Sequence, residues 1–157
     1  MNERVKSVGM LVLVGLSLSV AGCGDGTSTV GPGGVTIASL AGTWNATLAS
    51  WVPTAGGQEF ELIAAGGSGV LVIESSGRFT FTTVDPDDET DVSTGTFAFD
   101  SEDEDFLIVR NDGEVEEDEL FFILTGNTMR LIGEDEFDFD DDGVDEPATL
   151  TLEFTRS

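Results

Sequence analysis

The residues best equipped for chemistry form an acidic run near the end of the chain, residues 138–146. Carboxylates stand at alternate positions at the start of this run, and Gly143 follows the third of them. This spacing lets several carboxylates converge on one hard cation, while a glycine permits the sharp turn that brings them together. The run therefore predicts a Ca²⁺ site with ligands from Asp138, Asp140, Asp142, the backbone carbonyl of Val144, and Glu146.

The run 138–146 resembles the first half of an EF-hand calcium loop, whose pattern is Asp-x-Asp-x-Asp-Gly. Position 12 of that loop is Thr149 rather than the usual glutamate, and no helical period flanks it. The run is thus more similar to the helix-free calcium loops of extracellular β-proteins. An acidic turn that binds no ion is the alternative, and the acidic runs 85–91 and 101–105 are expected to be solvated hairpin tips.

Several kinds of catalytic chemistry are excluded by missing residue types. The chain has no His and no Tyr, its one Cys is Cys23, and no Lys follows Lys6. Ser–His, Cys–His and Schiff-base chemistry are therefore excluded, as are zinc sites built on His or Cys. A hydrolase that uses a carboxylate pair is the remaining enzyme class. Acidic residues are so abundant that such pairs arise by chance, and we expect a protein that is not an enzyme.

The charge of the chain is strongly negative. Asp and Glu number 31 against 6 Lys and Arg, which gives a formal net charge of −25 at pH 7. Such a chain repels nucleic acid, so no nucleic-acid partner is expected, and it attracts cations and basic protein partners. The alternative explanation is solubility, which dense surface carboxylates also provide.

The N-terminus has the organisation of an export signal. A short basic segment precedes the apolar run Val8–Val20, which is too short to cross the ~30 Å of a bilayer core as a helix. The apolar run ends in Val20-Ala21-Gly22-Cys23. These residues resemble the lipobox of bacterial lipoproteins, an aliphatic residue and two small residues before a cysteine.

The lipoprotein resemblance implies that residues 1–22 are a cleaved signal peptide and that Cys23 carries the lipid. Several acyl chains, at ~0.8 kcal/mol for each buried CH₂, would anchor the protein to a membrane. Gly24 follows the cysteine where an Asp is associated with inner-membrane retention, so the outer membrane of a Gram-negative envelope is favoured. The alternative is an ordinary cleaved signal that leaves a free thiol.

The remainder divides into a tether and one domain. Residues 23–36 are rich in Gly, Ser and Thr, which predicts a flexible tether after the lipidated cysteine. Residues 37–157 show period-2 alternation of apolar and polar residues, punctuated by turn signals. The alternation predicts strands near 43–52, 58–65, 69–75, 78–84, 92–99, 105–110, 119–125, 128–137 and 147–155.

Eight or nine strands with short links favour an all-β fold, an antiparallel meander closed into a small barrel. Closure would remove the unpaired edges of the sheet. A β-sandwich is the alternative architecture.

A second resemblance concerns the first strand, which opens with Gly42-Thr43-Trp44. Lipocalins and lipocalin-like domains open with a Gly-x-Trp motif, and their Trp closes one barrel end under an Arg just past the last strand. Arg156 stands at that place, so the resemblance implies a barrel-closing pair of Trp44 and Arg156. The Thr-Asp-Tyr loop motif and the C-terminal helix of lipocalins are both absent here.

The expected function is a lipid-anchored, exported binding or structural module of the cell envelope, without enzymatic activity. Its partners would be the membrane, through Cys23, and either a small hydrophobic ligand or a basic protein. A calcium-stabilised envelope or surface-adhesion module is the first alternative, and a carboxylate-based hydrolase is the second. A deep apolar cavity would favour the small ligand, whereas a filled core would favour a protein or envelope contact.

Overall fold

The computed structural model describes residues 27–140 and 142–157. Cys23 and the rest of the predicted lipobox lie outside the described residues. The elements are β1 (Thr27–Ser28), a 3₁₀ turn (Pro32–Gly34), α1 (Ile37–Leu40), β2 (Gly42–Pro53), β3 (Phe60–Glu61), β4 (Ser68–Ile73), β5 (Arg78–Val84), β6 (Thr90–Asp100), β7 (Phe106–Asn111), β8 (Asp118–Thr125), β9 (Thr128–Phe137) and β10 (Glu146–Arg156). No helix among these residues is long and apolar enough to cross a membrane.

Eight strands form a closed antiparallel barrel. From β4 to β10 each strand pairs with the next, and β2 pairs with both β4 and β10, which completes the ring. The short strands β1 and β3 pair with β6 and β2 outside the ring. The predicted all-β meander and its closure into a small barrel are therefore confirmed, and the sandwich alternative is wrong.

The predicted strands agree with the structure to within two residues at each end, except for 58–65. Only Phe60–Glu61 is a strand in that segment, because the Glu61 carboxylate draws the chain into a turn. It accepts hydrogen bonds from the backbone N–H groups of Ala49, Ile63 and Ala64. Burial alone raises the pKa of Glu61, but these three bonds outweigh it and hold the pKa below its ordinary value.

One end of the barrel, which we call the base, is sealed by α1 and packed aromatic side chains. Thr36 and Ser39 form a reciprocal cap at the start of α1. Leu40 is buried and its carbonyl accepts a hydrogen bond of 2.9 Å from the Trp44 indole. The fully buried side chains at this end are Leu40, Trp44, Phe99, Leu107, Met129 and Phe154.

The segment 27–36 differs from the flexible tether expected over residues 23–36, of which 23–26 lie outside the described residues. Thr27 and Ser28 pair with Asp100 and Phe99 at the end of β6. Gly31 is buried so closely against Phe99 that an added Cβ would lie 2.4 Å from its ring. The glycines that suggested a tether instead allow this segment to pack on the base.

A β-bulge in β2 determines which of its side chains face the interior. The register with β10 shifts so that Thr47 is an extra residue between Ala46 and Leu48. Trp44 and Ala46 face inward before the bulge, and Ala49 and Trp51 face inward after it. The bulge thereby directs Trp51 into the open end of the barrel.

From the contacts at the base, we expect that position 156 requires an arginine and that a lysine cannot replace it. The guanidinium carbon of Arg156 lies 4.6 Å from the centroid of the Trp44 ring, and Nη2 donates to the Ser39 carbonyl at 2.6 Å. An ammonium group cannot stack and donate in this way, so Arg156→Lys should lower the free energy of unfolding by about 1–3 kcal/mol. Denaturant unfolding measures the loss. Arg130→Lys, at an exposed position on β9, is the control and should change little; an equal effect of both substitutions would contradict the prediction.

Candidate functional site

The barrel is open at the end opposite Trp44, which we call the mouth, and a cavity of about 750 Å³ extends inward from it. Phe81 and Leu150 point into this cavity and are only half-buried. Its apolar walls come from the inward side chains of β4 to β10. They are Leu71, Phe79, Phe81, Phe97, Val109, Leu120, Leu131, Leu150, Leu152 and Phe154.

Four aromatic rings stand together on one side of the mouth, and we call them the aromatic cluster: Trp51, Phe60, Phe137 and Phe139. The Trp51 and Phe137 centroids are 5.3 Å apart, and Phe60 stacks on Phe137 at 4.8 Å. Phe139 meets Phe137 edge-on at 5.0 Å. All four are half-buried and line the cavity, so each ring retains surface that a ligand can contact.

Carboxylates surround the same opening. Successive hairpin loops of a meander alternate between the two ends of the barrel, so every second loop lies at the mouth. The loops 85–89, 112–117 and 138–145 all lie at the mouth and all are acidic. The carboxylates that line the cavity are called the acidic rim, and they are Asp85, Asp87, Asp91, Asp118, Glu134, Asp135 and Asp138. Among the described residues, no arginine lines the cavity.

Asp118 and Asp135 are rim carboxylates that lie on strands, in the same alternation as the inward residues of β8 and β9. Burial raises the pKa of Asp118, and the nearby carboxylates of Glu114, Asp135 and Glu116 raise it further. Asp135 accepts a 2.8 Å hydrogen bond from the Trp51 indole, which connects the acidic rim to the aromatic cluster. The site can therefore hold a molecule whose apolar part lies deep and whose polar part lies at the mouth.

The predicted barrel-closing pair and the predicted calcium loop occupy opposite ends of the barrel. Trp44 and Arg156 are in contact at the base, as described above. The loop 138–145 lies at the mouth, where carboxylate oxygens of Asp138, Asp140 and Asp142 come within 4.8 Å of one another.

Hydrogen bonds between the carboxylates and the backbone of the loop stabilise the predicted calcium loop. Asp138 accepts from the N–H groups of Asp142 and Gly143 at 3.2 and 3.0 Å. Glu146, an expected ligand, accepts from the Phe139 N–H at 3.1 Å and is not part of the carboxylate group. Val144 is exposed. Calcium binding at this loop stays a prediction.

The rim and the aromatic cluster were not predicted, although the sequence holds a signal for them. The inner face of β8 runs Asp118, Leu120, Phe122, so its alternation carries a carboxylate to the mouth. On β9, Leu131, Gly133 and Asp135 occupy alternate positions and so share one face, which likewise carries a carboxylate to the mouth. Combining this alternation with the side on which each hairpin loop falls would have found the site.

No protein-family model, curated protein or solved structure matches this chain.

The pKa of Asp118 is raised and that of Asp112 is lowered, so replacing each by asparagine should change the melting temperature in opposite directions at neutral pH. The folded-state pKa of Asp118 is raised, so its carboxylate lowers stability at neutral pH, and Asp118→Asn should raise the melting temperature there. This advantage should disappear as the pH falls through the raised pKa and Asp118 takes up its proton. Thermal unfolding followed by circular dichroism from pH 7 to pH 3 measures both effects.

Asp112→Asn is the matched comparison outside the cavity. Hydrogen bonds from Arg78 and then Thr94 hold the pKa of Asp112 below its ordinary value, so its charge stabilises the fold at neutral pH. Asp112→Asn should therefore lower the melting temperature at neutral pH, with a difference that shrinks in acid. Two substitutions that shift the melting temperature in the same direction at pH 7 would contradict the assignment.

Proposed function

We propose that this protein is an exported, lipid-anchored binding protein that takes a small hydrophobic ligand into its barrel and has no enzymatic activity. The observation that carries the proposal is the cavity of about 750 Å³, with apolar walls and one open end. Ligand pockets are typically about 300–1,000 Å³, and the interior of an eight-stranded barrel is either filled by side chains or wide enough to hold one small ligand. A cavity of this kind favours a small ligand over the protein contact that a filled core would suit.

The lipocalin-like resemblance supports the same function. Its motif residues Trp44 and Arg156 seal the base, so a ligand has one route in, through the mouth. A sealed base also places the rigid, well-packed part of the core beneath the ligand. A ligand would therefore enter the barrel through its open end, as in the lipocalin-like domains that the motif resembles.

The membrane anchor is the second part of the proposal and rests on the lipobox Val20-Ala21-Gly22-Cys23. Lipidation of Cys23 would hold the barrel at the surface of the cell envelope, with the outer membrane favoured in a Gram-negative cell. The described domain begins within a few residues of Cys23, because the segment 27–36 packs on the base. The base would then be held close to the lipid headgroups.

A carboxylate-based hydrolase is the second candidate, since Asp118 and Asp135 face one cavity and burial raises the pKa of Asp118. In glycoside hydrolases, a carboxyl group with a raised pKa acts as the general acid beside a second, ionised carboxylate. Two features favour binding instead. The pKa of Asp118 is also raised by Glu114 and Glu116, as expected of general crowding, and most of the described residues that line the cavity below the mouth are apolar.

Ligand binding in the cavity predicts that the neutral fluorophore N-phenyl-1-naphthylamine binds saturably and with about 1:1 stoichiometry. Leu150→Trp should weaken this binding at least tenfold, because the indole fills the cavity that Leu150 borders. Fluorescence titration of the full chain carrying Cys23→Ser measures both, without lipid or detergent.

Val72→Trp is the control for the added indole. Val72 is 41% exposed on the outer surface of β4, so its substitution should leave the affinity unchanged. Equal affinities for all three proteins would place the fluorophore outside the barrel and overturn the proposed function.

Lipid anchoring predicts that wild type sediments with the membranes and gains the mass of a diacylglyceryl group and an acyl chain at Cys23. Cys23→Ser should move the protein to the soluble fraction or stall its processing. Fractionation and intact-protein mass spectrometry give the two readouts. A Cys23→Ser protein that stays anchored and is cleaved at the same place would show that the lipoprotein interpretation is wrong.

A further inference from the structure

The carboxylates at the mouth lie on the ends of strands as well as in the loops. Asp91, Asp118 and Asp135 stand at the mouth ends of three strands, in the same alternation as the apolar residues deeper in the wall. Asp91 is followed inward by Ser93, Asp118 by Leu120, and each of these residues lines the cavity. A ligand that fills the cavity must therefore pass and contact these carboxylates.

Among the described residues, none of the arginines lines the cavity, and two of them pair with carboxylates of the loop 112–117. Arg78 pairs with Asp112 at 2.6 Å, and Arg110 pairs with Glu117 at 2.6 Å. Arg156 lies over Trp44 at the base, and Arg130 is exposed on β9. The acidic rim thus has no arginine beside it in the cavity wall, and burial first, then the carboxylates of Glu114, Asp135 and Glu116, raise the pKa of Asp118.

We propose that the ligand of this cavity is an amphiphilic organic cation, an amine or quaternary ammonium attached to an apolar body. This inference rests on the proposed function and names the class of ligand. The apolar body lies among Phe81, Leu150 and the deeper wall, and the positive group lies at the mouth between the acidic rim and the aromatic cluster.

The aromatic cluster suits a positive group as well as an apolar one. Aromatic faces carry negative electrostatic potential, and rings grouped around one point recognise ammonium ions. Trp51 also donates its indole N–H to Asp135 at 2.8 Å, which fixes a carboxylate beside the rings. A cation at this place would contact rings and carboxylates together, whereas an anionic amphiphile of equal length would meet the carboxylates with like charge.

The test compares three probes with the same ten-carbon chain: decyltrimethylammonium, 1-decanol and decanoate, all below their micelle concentrations. Each displaces N-phenyl-1-naphthylamine from the full chain carrying Cys23→Ser, in EDTA and about 0.5 M NaCl to screen the general charge. We expect the cation to bind at least tenfold more tightly than the alcohol, and decanoate to bind most weakly.

The double variant Asp118→Asn/Asp135→Asn should lose most of the preference for the cation and bind decanol within about twofold of wild type. Glu102→Gln/Glu104→Gln makes the same change in net charge in the loop at the base, and it should keep the preference. Asp91→Asn is a second rim variant and should also reduce the preference for the cation. It replaces the double variant in the test if the double variant does not fold. Circular dichroism checks that every variant is folded.

The outcomes separate the two proposals. If decanol and the cation bind wild type equally, the inference is wrong and the proposed function stands. If neither decanol nor the fluorophore binds, the proposed function fails, and the inference fails with it. If the preference for the cation survives in both rim variants, the acidic rim does not cause it, and the inference is overturned. If the preference falls equally in Glu102→Gln/Glu104→Gln, the net charge of the whole protein causes it, and the inference is again overturned.

Discussion

The pairing of the last strand with the first long strand is the constraint on which the rest of the structure depends. Residues 148–156 of β10 pair with residues 44–53 of β2, and the ring then has no unpaired edge. The same pairing brings Arg156 beside Trp44 and so seals the base. Once the ring is closed as a meander, its hairpin loops must alternate between base and mouth, and the two ends can take different compositions.

The two ends differ in how well their side chains are packed and paired. Buried aromatic and aliphatic side chains, together with α1 and the segment 27–36, pack the base. The mouth has half-buried rings and crowded carboxylates, and burial together with the nearby carboxylates raises the pKa of Asp118 there. Groups that lower stability where they stand are expected at functional sites, with the cost offset by good packing elsewhere. The well-packed base is what allows the mouth to remain charged and open.

Most of the barrel could be predicted because period-2 alternation is a local property, and eight of nine predicted strands are present. The failure at 58–65 has a tertiary cause: Glu61 reaches Ala49 on β2, a contact that no local pattern reveals. The tether prediction failed for 27–36 because composition does not show that Gly31 packs against Phe99. The cavity could not be predicted either, since its volume depends on how side chains from every strand meet inside the ring.

The calcium motif and the acidic rim show two different ways in which a sequence encodes a site. The motif at Asp138, Asp140 and Asp142 is local, so spacing alone drew attention to it, and its carboxylates are near one another. The rim is assembled from positions far apart in sequence, and no short pattern contains Asp91, Asp118 and Asp135. These three residues share two features. Each faces inward in the alternation of its strand, and each lies at the end of the strand that is at the mouth. For an up-and-down barrel, assigning every loop to an end before searching for motifs therefore identifies charge that converges in space.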